Sequence, residues 1–181
     1  MCGYGGRILR ELCNAQIKNK IAMKVIFLDF DGVLNSDQYD CERDQTTDTN
    51  IDESRLPLLK QIVDATGAKI VLSTTWRCYW AENPNDCDAI GIWMNALFAK
   101  YGLEIFGKTP RLSFRAGRKA EVLSWLEFAP EQVDSFVIID DYAFGWEELS
   151  SRLVKTSAHI GRGLELCHVE KAIDILTNDC L

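Results

Sequence analysis

From Met23 onward, short apolar runs alternate with stretches of helical periodicity. Val25 to Leu28 is continuously apolar, as in a strand buried on both faces. Lys69-Ile-Val-Leu72 and Phe136-Val-Ile-Ile139 repeat that pattern, Leu153-Val154 predicts a fourth strand, and Ile105-Phe106 predicts a further short one. Leu56, Leu59, Ile62 and Val63 mark a helix that Asp52 or Ser54 can cap and Gly67 can end. Ile90, Trp93, Leu97 and Tyr101 mark a second helix. Val122, Leu123 and Leu126 mark a third, and Val169, Ala172, Ile173 and Leu176 a last. Residues 36–52 are polar and acidic and read as a loop. Strands alternating with helices predict an α/β fold with a central, mostly parallel sheet covered on both faces.

Residues 1–22 stand apart as an N-terminal extension, with residues 23–181 as one domain. Ile8, Leu9, Leu12, Cys13 and Ile17 fall at the spacing of a short amphipathic helix. Gly3-Tyr4-Gly5-Gly6 lacks the Gly-Lys-Ser/Thr and the preceding strand of a phosphate loop.

Composition narrows the class. A chain of 181 residues suits one domain, and 47% hydrophobic with 26% charged residues excludes a disordered or fibrous chain. The net charge of −7 argues against a broad basic surface for nucleic acid, though not against a local basic groove. No apolar run approaches the ~18 residues of a membrane span, and no secretory core opens the chain, so no membrane partner is expected. The seven cysteines are scattered and form no Cys-x-x-Cys. They predict reduced thiols in a cytoplasmic protein, with neither a zinc knuckle nor a disulfide-linked partner.

In an open parallel sheet, ligands bind at the carboxyl ends of the strands. After the first strand comes Asp29-Phe-Asp31-Gly-Val-Leu-Asn35, after the second Ser73-Thr74-Thr75-Trp76-Arg77, and after the third clear strand Asp140-Asp141. Arg118 and Lys119 open the helix before that third strand. Asp29 and Asp31 lie two apart and point the same way in extended chain. With Asp140 and Asp141 they make an oxygen-rich pocket suited to Mg²⁺, and no His or Cys stands nearby in sequence to favour zinc or copper. The hydroxyl of Ser73 or Thr74 and the following N–H groups can bind phosphate oxygens, while a Lys or Arg neutralises the remaining charge.

This set resembles the haloacid dehalogenase (HAD) superfamily. More narrowly, it resembles the compact subgroup found in Swiss-army-knife RNA repair proteins. The resemblance rests on Leu28-Asp-x-Asp-Gly-Val-Leu-Asn35, Lys69-Ile-Val-Leu-Ser-Thr-Thr-Trp-Arg77, Thr109-Pro110, Arg118-x-x-Glu-Val-x-x-Trp-Leu126 and Val137-Ile-Ile-Asp-Asp141. It implies a three-layer Rossmann-like fold and a Mg²⁺-dependent phosphatase. Asp29 would be the nucleophile that forms an aspartyl-phosphate. Asp31 would protonate the leaving oxygen, then activate water. The metal would be held by Asp29, the backbone carbonyl of Asp31 and Asp141, with Asp140 assisting through water. Ser73 would bind the phosphoryl group, with Thr74 as its competitor. Arg118 would take the place of the usual third-motif Lys, with Lys119 the other candidate.

The remaining residues carry plainer expectations. Trp80, Trp93, Trp125 and Trp146 read as packing, and Trp76 as a wall of the pocket. Arg77 reads either as a substrate-phosphate ligand or as half of an ion pair. His159 and His168 read as surface residues, and Gly161-Arg-Gly163 as a turn. Neither residues 36–68 nor 78–117 hold a full cap domain of roughly 50 residues or more. The site should therefore be open, suiting a large phosphorylated partner such as a nucleic-acid end. Two other functions remain: a non-catalytic phosphate-binding module, which the complete residue set disfavours, and a phosphotransferase.

Overall fold

The computed structural model describes residues 23–43, 50–113, 115–143 and 145–178. The extension expected at 1–22, with its helix and glycine cluster, lies outside them. Five strands form one sheet: β1 (Met23–Leu28), β2 (Lys69–Leu72), β3 (Ile105–Lys108), β4 (Val133–Asp140) and β5 (Leu153–Lys155). Their order is β3-β2-β1-β4-β5, and every pairing is parallel. Among the described residues, five α-helices accompany them: α1 (Asp37–Glu42), α2 (Leu56–Thr66), α3 (Ala89–Lys100), α4 (Gly117–Glu127) and α5 (Leu166–Asn178).

Alternation along the strands divides the core in two. Ile26, Leu28, Ile70, Leu72, Val137 and Ile139 face α2, α3 and α5 through Leu59, Phe98 and Leu176. Val25, Phe27, Val71, Phe136 and Ile138 face the other way, onto Val122 of α4 and onto Trp146. Both faces are apolar because both are covered, which explains why the strands read as continuous apolar runs. The result is a three-layer α/β sandwich of Rossmann type.

Some local expectations shift. The loop expected at 36–52 contains α1, whose N-cap Ser36 accepts from the Tyr39 amide at 3.2 Å. No α1 residue is buried, so no apolar period marks it. On α3 the buried positions are Gly91, Met94, Leu97 and Phe98, while Ile90 faces outward. On α4 it is Leu123 that faces solvent, and Glu121 and Val122 that are buried. Strand β4 starts earlier than its apolar run, because Val133 pairs with Met23. Among the described residues, 78–117 are spent on α3, β3 and their connections, so no cap-sized insertion stands over the carboxyl edge.

Candidate active site

The sheet register delivers the site. The Asp29 amide donates to the Ile139 carbonyl at 3.0 Å, and the Ser73 amide to the Leu28 carbonyl at 2.9 Å. These bonds carry the ladder one residue past β1 and β2. Asp29, Ser73 and the end of β4 thus stand side by side. Asp29 and Asp140 are almost wholly buried, as is Ser73.

Asp29, Asp140 and Asp141 form a cluster whose ligand oxygens lie within 4.8 Å of one another. Burial is the main force on Asp29 and raises its carboxyl to about 6; Arg118 opposes this and Asp140 reinforces it. Asp141 is raised too, by burial first and then by the charge of Asp140. Arg118 bridges the cluster: its Nη1 pairs with Asp29 Oδ2 and lies 2.7 Å from Asp140 Oδ2. Burial works against its charge, but Asp29 and Asp140 outweigh that and hold the guanidinium firmly protonated. Three carboxylates against one guanidinium leave an excess of negative charge in a poorly solvated place.

The loop after β1 is closed by its own side chains. Asn35 accepts the Gly32 amide at 2.8 Å and donates to Asp31 Oδ1 and to the Asn50 carbonyl, each at 3.0 Å. Trp76 Nε1 donates to Asp31 Oδ2 at 3.3 Å. The Asp31 carboxylate is therefore fixed at the exposed mouth, outside the three-carboxylate cluster. Gly32 adopts φ +71°, and a Cβ there would fall 2.4 Å from the carboxyl carbon of Asp141. Only glycine permits both the turn and that approach. Thr156 Oγ1 donates to the Gly32 carbonyl at 2.7 Å and holds the loop from behind.

The paired alternatives separate by geometry. Ser73 Oγ is buried with no hydrogen-bond partner among the described residues. Thr74 Oγ1 instead accepts the Trp76 amide at 3.3 Å, capping the turn Thr75–Tyr79. Arg118 reaches into the cluster, whereas Lys119 points away and meets Glu148 at 3.1 Å. Arg77 is buried in an ion pair with Glu121. His159 is exposed and pairs with Asp37, while His168 is half-buried and accepts the Glu165 amide through Nδ1 at 3.0 Å. Trp80 and Trp146 are buried, Trp93 and Trp125 half-buried.

Asn35 and Thr156 had no role assigned from sequence, and Gly163 only that of a turn. Asn35 stands three residues after Gly32, a spacing that invites a side chain to close the turn. Gly163 packs so tightly that a Cβ would come 2.4 Å from the Val33 carbonyl oxygen. The Gly161-Arg-Gly163 pair was the signal for that contact; nothing in the sequence singled out Thr156.

A parallel sheet with Asp-x-Asp-Gly after its first strand, a buried serine after its second, and an Asp-Asp pair and a cation closing the cluster defines the HAD superfamily. Within it, the chain belongs to the family described as the HAD domain in Swiss Army Knife RNA repair proteins, whose model matches residues 25–166. No curated protein and no solved structure compared with the chain matches it. No helix among the described residues is long and apolar enough to cross a membrane.

The donor set suits Mg²⁺, the ion this superfamily generally uses. It is made of oxygen alone, with no His or Cys among its ligands, and it sets three carboxylates against a single guanidinium.

Proposed function

We propose that this chain is a Mg²⁺-dependent phosphomonoester hydrolase acting through Asp29. The observation that carries this reading is the buried, unpartnered hydroxyl of Ser73 beside the buried Asp29 carboxylate, with Arg118 against it. A buried hydroxyl costs stability when unpaired, and a bound phosphoryl oxygen would supply the partner.

Asp29 attacks phosphorus, and the bond to the ester oxygen breaks. Asp31, held at the mouth by Asn35 and Trp76, gives its proton to that leaving oxygen. The aspartyl-phosphate is then attacked by water, whose proton returns to Asp31, and Asp29 is freed as carboxylate. Ser73 and Arg118 bind the phosphoryl oxygens during both steps. Asp29, Asp141 and the carbonyl of Asp31 would hold the metal, with Asp140 behind them. When bound, Mg²⁺ would neutralise the charge of these carboxylates and of the phosphate. Asp140 already spends both oxygens, accepting from Arg118 and from the Tyr142 amide at 2.8 Å, which suits a supporting place.

The substrate we propose is a large phosphorylated molecule, with a nucleic-acid end as the class the family's description favours. The lack of a cap-sized insertion among the described residues supports it. The test is a panel of phosphate esters, nucleotides and 5′- or 3′-phosphorylated oligonucleotides, with and without Mg²⁺. Release of inorganic phosphate only with Mg²⁺ is expected. Absence of release from every ester would overturn the hydrolase reading and return the site to a binding role.

A further inference from the structure

A cavity of about 1660 Å³ opens beside the site, between α3, the turn Thr75–Tyr79, the β3 edge and the end of α4. Small-molecule pockets hold roughly 300–1,000 Å³, so this groove is built for something longer. Six aromatic side chains line it: Trp76, Tyr79, Trp93, Phe106, Trp125 and Phe128. Tyr79 and Phe128 are 38% and 77% exposed, and the other four are half-buried. Trp76 belongs to both places, since its indole N–H is the one that meets Asp31. The groove therefore starts where the candidate nucleophile loop ends.

Its charge runs against that of the molecule. The chain carries −7 overall, yet residues 105–120 hold Lys108, Arg111, Arg115, Arg118 and Lys119 and no carboxylate. Lys108 and Arg111 line the groove, where Glu82 is the only acidic lining residue among the described residues and the charge of Arg77 is already matched by Glu121. Lys108 Nζ donates to the carbonyls of Arg77 and Trp80 and lies over the Trp80 ring, and among the described residues it meets no carboxylate. Among the described residues, no hydrogen bond or ion pair engages Arg111 or Arg115.

We propose that this groove binds single-stranded polynucleotide, with bases stacked on its rings and phosphates following Lys108 and Arg111. A polynucleotide repeats one flat ring and one negative charge per unit, which is the repeat that the groove answers. A phosphopeptide supplies neither repeat. The proposal rests on the reading of Asp29 only for where the strand's terminal phosphate lies; binding along the groove does not need that reading.

The test uses the full chain and a labelled RNA of about ten nucleotides, with its DNA counterpart, both ending in free hydroxyls. Binding is followed by fluorescence anisotropy at several salt concentrations. Saturable binding is expected, and a strand of equal length and charge lacking bases should bind at least tenfold more weakly. Phe128→Ala and Tyr79→Ala, both at exposed rings, should each weaken binding by roughly five- to tenfold. Arg111→Ala should weaken it and reduce the salt slope by about 0.7. All three variants should turn over a small aryl phosphate like the parent chain. Equal binding of the base-free strand, unchanged binding by the variants, or displacement by a phosphopeptide at lower concentration than by unlabelled strand would overturn the proposal. Strand binding without turnover of any ester would defeat the hydrolase reading and leave the groove standing. Turnover of small esters without strand binding would do the reverse.

Discussion

Arg77 Nη2 lies 2.6 Å from Glu121 Oε2, and both residues are buried. This pair clamps the turn after β2, which follows Ser73, to α4, which carries Arg118. Arg77 Nη1 also donates to the Thr74 carbonyl at 2.7 Å, and Glu121 Oε1 accepts the Leu112 amide at 3.2 Å. The turn after β2 and the start of α4 are thereby fixed relative to one another. Glu121→Ala leaves the guanidinium unpaired in the interior and should cost about 3 kcal/mol or more. Chemical denaturation of the variant beside the parent chain measures this, and a loss below about 1 kcal/mol would show a pair that behaves as a surface one.

Metal should act on stability before it acts on any substrate. Mg²⁺ should raise Tm, because a ligand held by the native cluster alone stabilises the native state by linkage. EDTA should reverse the rise, and Asp141→Ala should shrink it. A shift produced by Zn²⁺ and not by Mg²⁺ would contradict an oxygen-only centre.

The metal-free protein should also respond to pH through Asp29. Its carboxyl is raised by burial from 3.8 to about 6 in the folded chain. The folded state therefore favours the proton. This contribution is fully present below about pH 4 and is lost as pH rises through about 6, a change of order 3 kcal/mol. Asp29→Asn has no such proton to lose. The stability difference between Asp29→Asn and the parent chain, followed in EDTA from pH 4 to pH 7, should grow in favour of the variant. Parallel curves would refute the assignment.

Gly32→Ala tests the closeness of the first and last motifs. The added methyl meets the Asp141 carboxyl group and forces a left-handed residue to carry a side chain. A loss of roughly 1–2 kcal/mol is expected from the backbone alone. The distinctive result is a Mg²⁺-induced Tm shift that falls to a small fraction of the parent's, because Asp141 is displaced. An unchanged shift would place the ion away from Asp141.

The sequence showed best what period and punctuation encode. Strands buried on both faces stand out as unbroken apolar runs, and the residues just after them are chemically odd enough to notice, as with Asp29-Phe-Asp31-Gly32. Between neighbours such as Ser73 and Thr74, or Arg118 and Lys119, period alone does not choose, and the preference for Ser73 and Arg118 came from the resemblance and its spacing. Each pair shares a composition, and only the pleat or the helix phase decides which member turns inward. Helix α1 was missed because none of its side chains is buried, so it leaves no apolar stripe. The aromatic groove was largely hidden: Trp76, Trp93 and Trp125 lie on three separate elements, and while Trp76 reads as a wall of the site, Trp93 and Trp125 read as ordinary packing.

The covalent mechanism we propose requires that Asp29 itself attack phosphorus. Its most direct measurement is turnover by Asp29→Asn, in the full chain with Mg²⁺, on whichever ester the parent chain hydrolyses. The amide cannot act as the nucleophile, so activity should fall below about one per cent of the parent's, while denaturation shows a fold at least as stable as the parent's in EDTA. A well-folded Asp29→Asn that retains a substantial fraction of parental turnover would contradict the covalent role of Asp29.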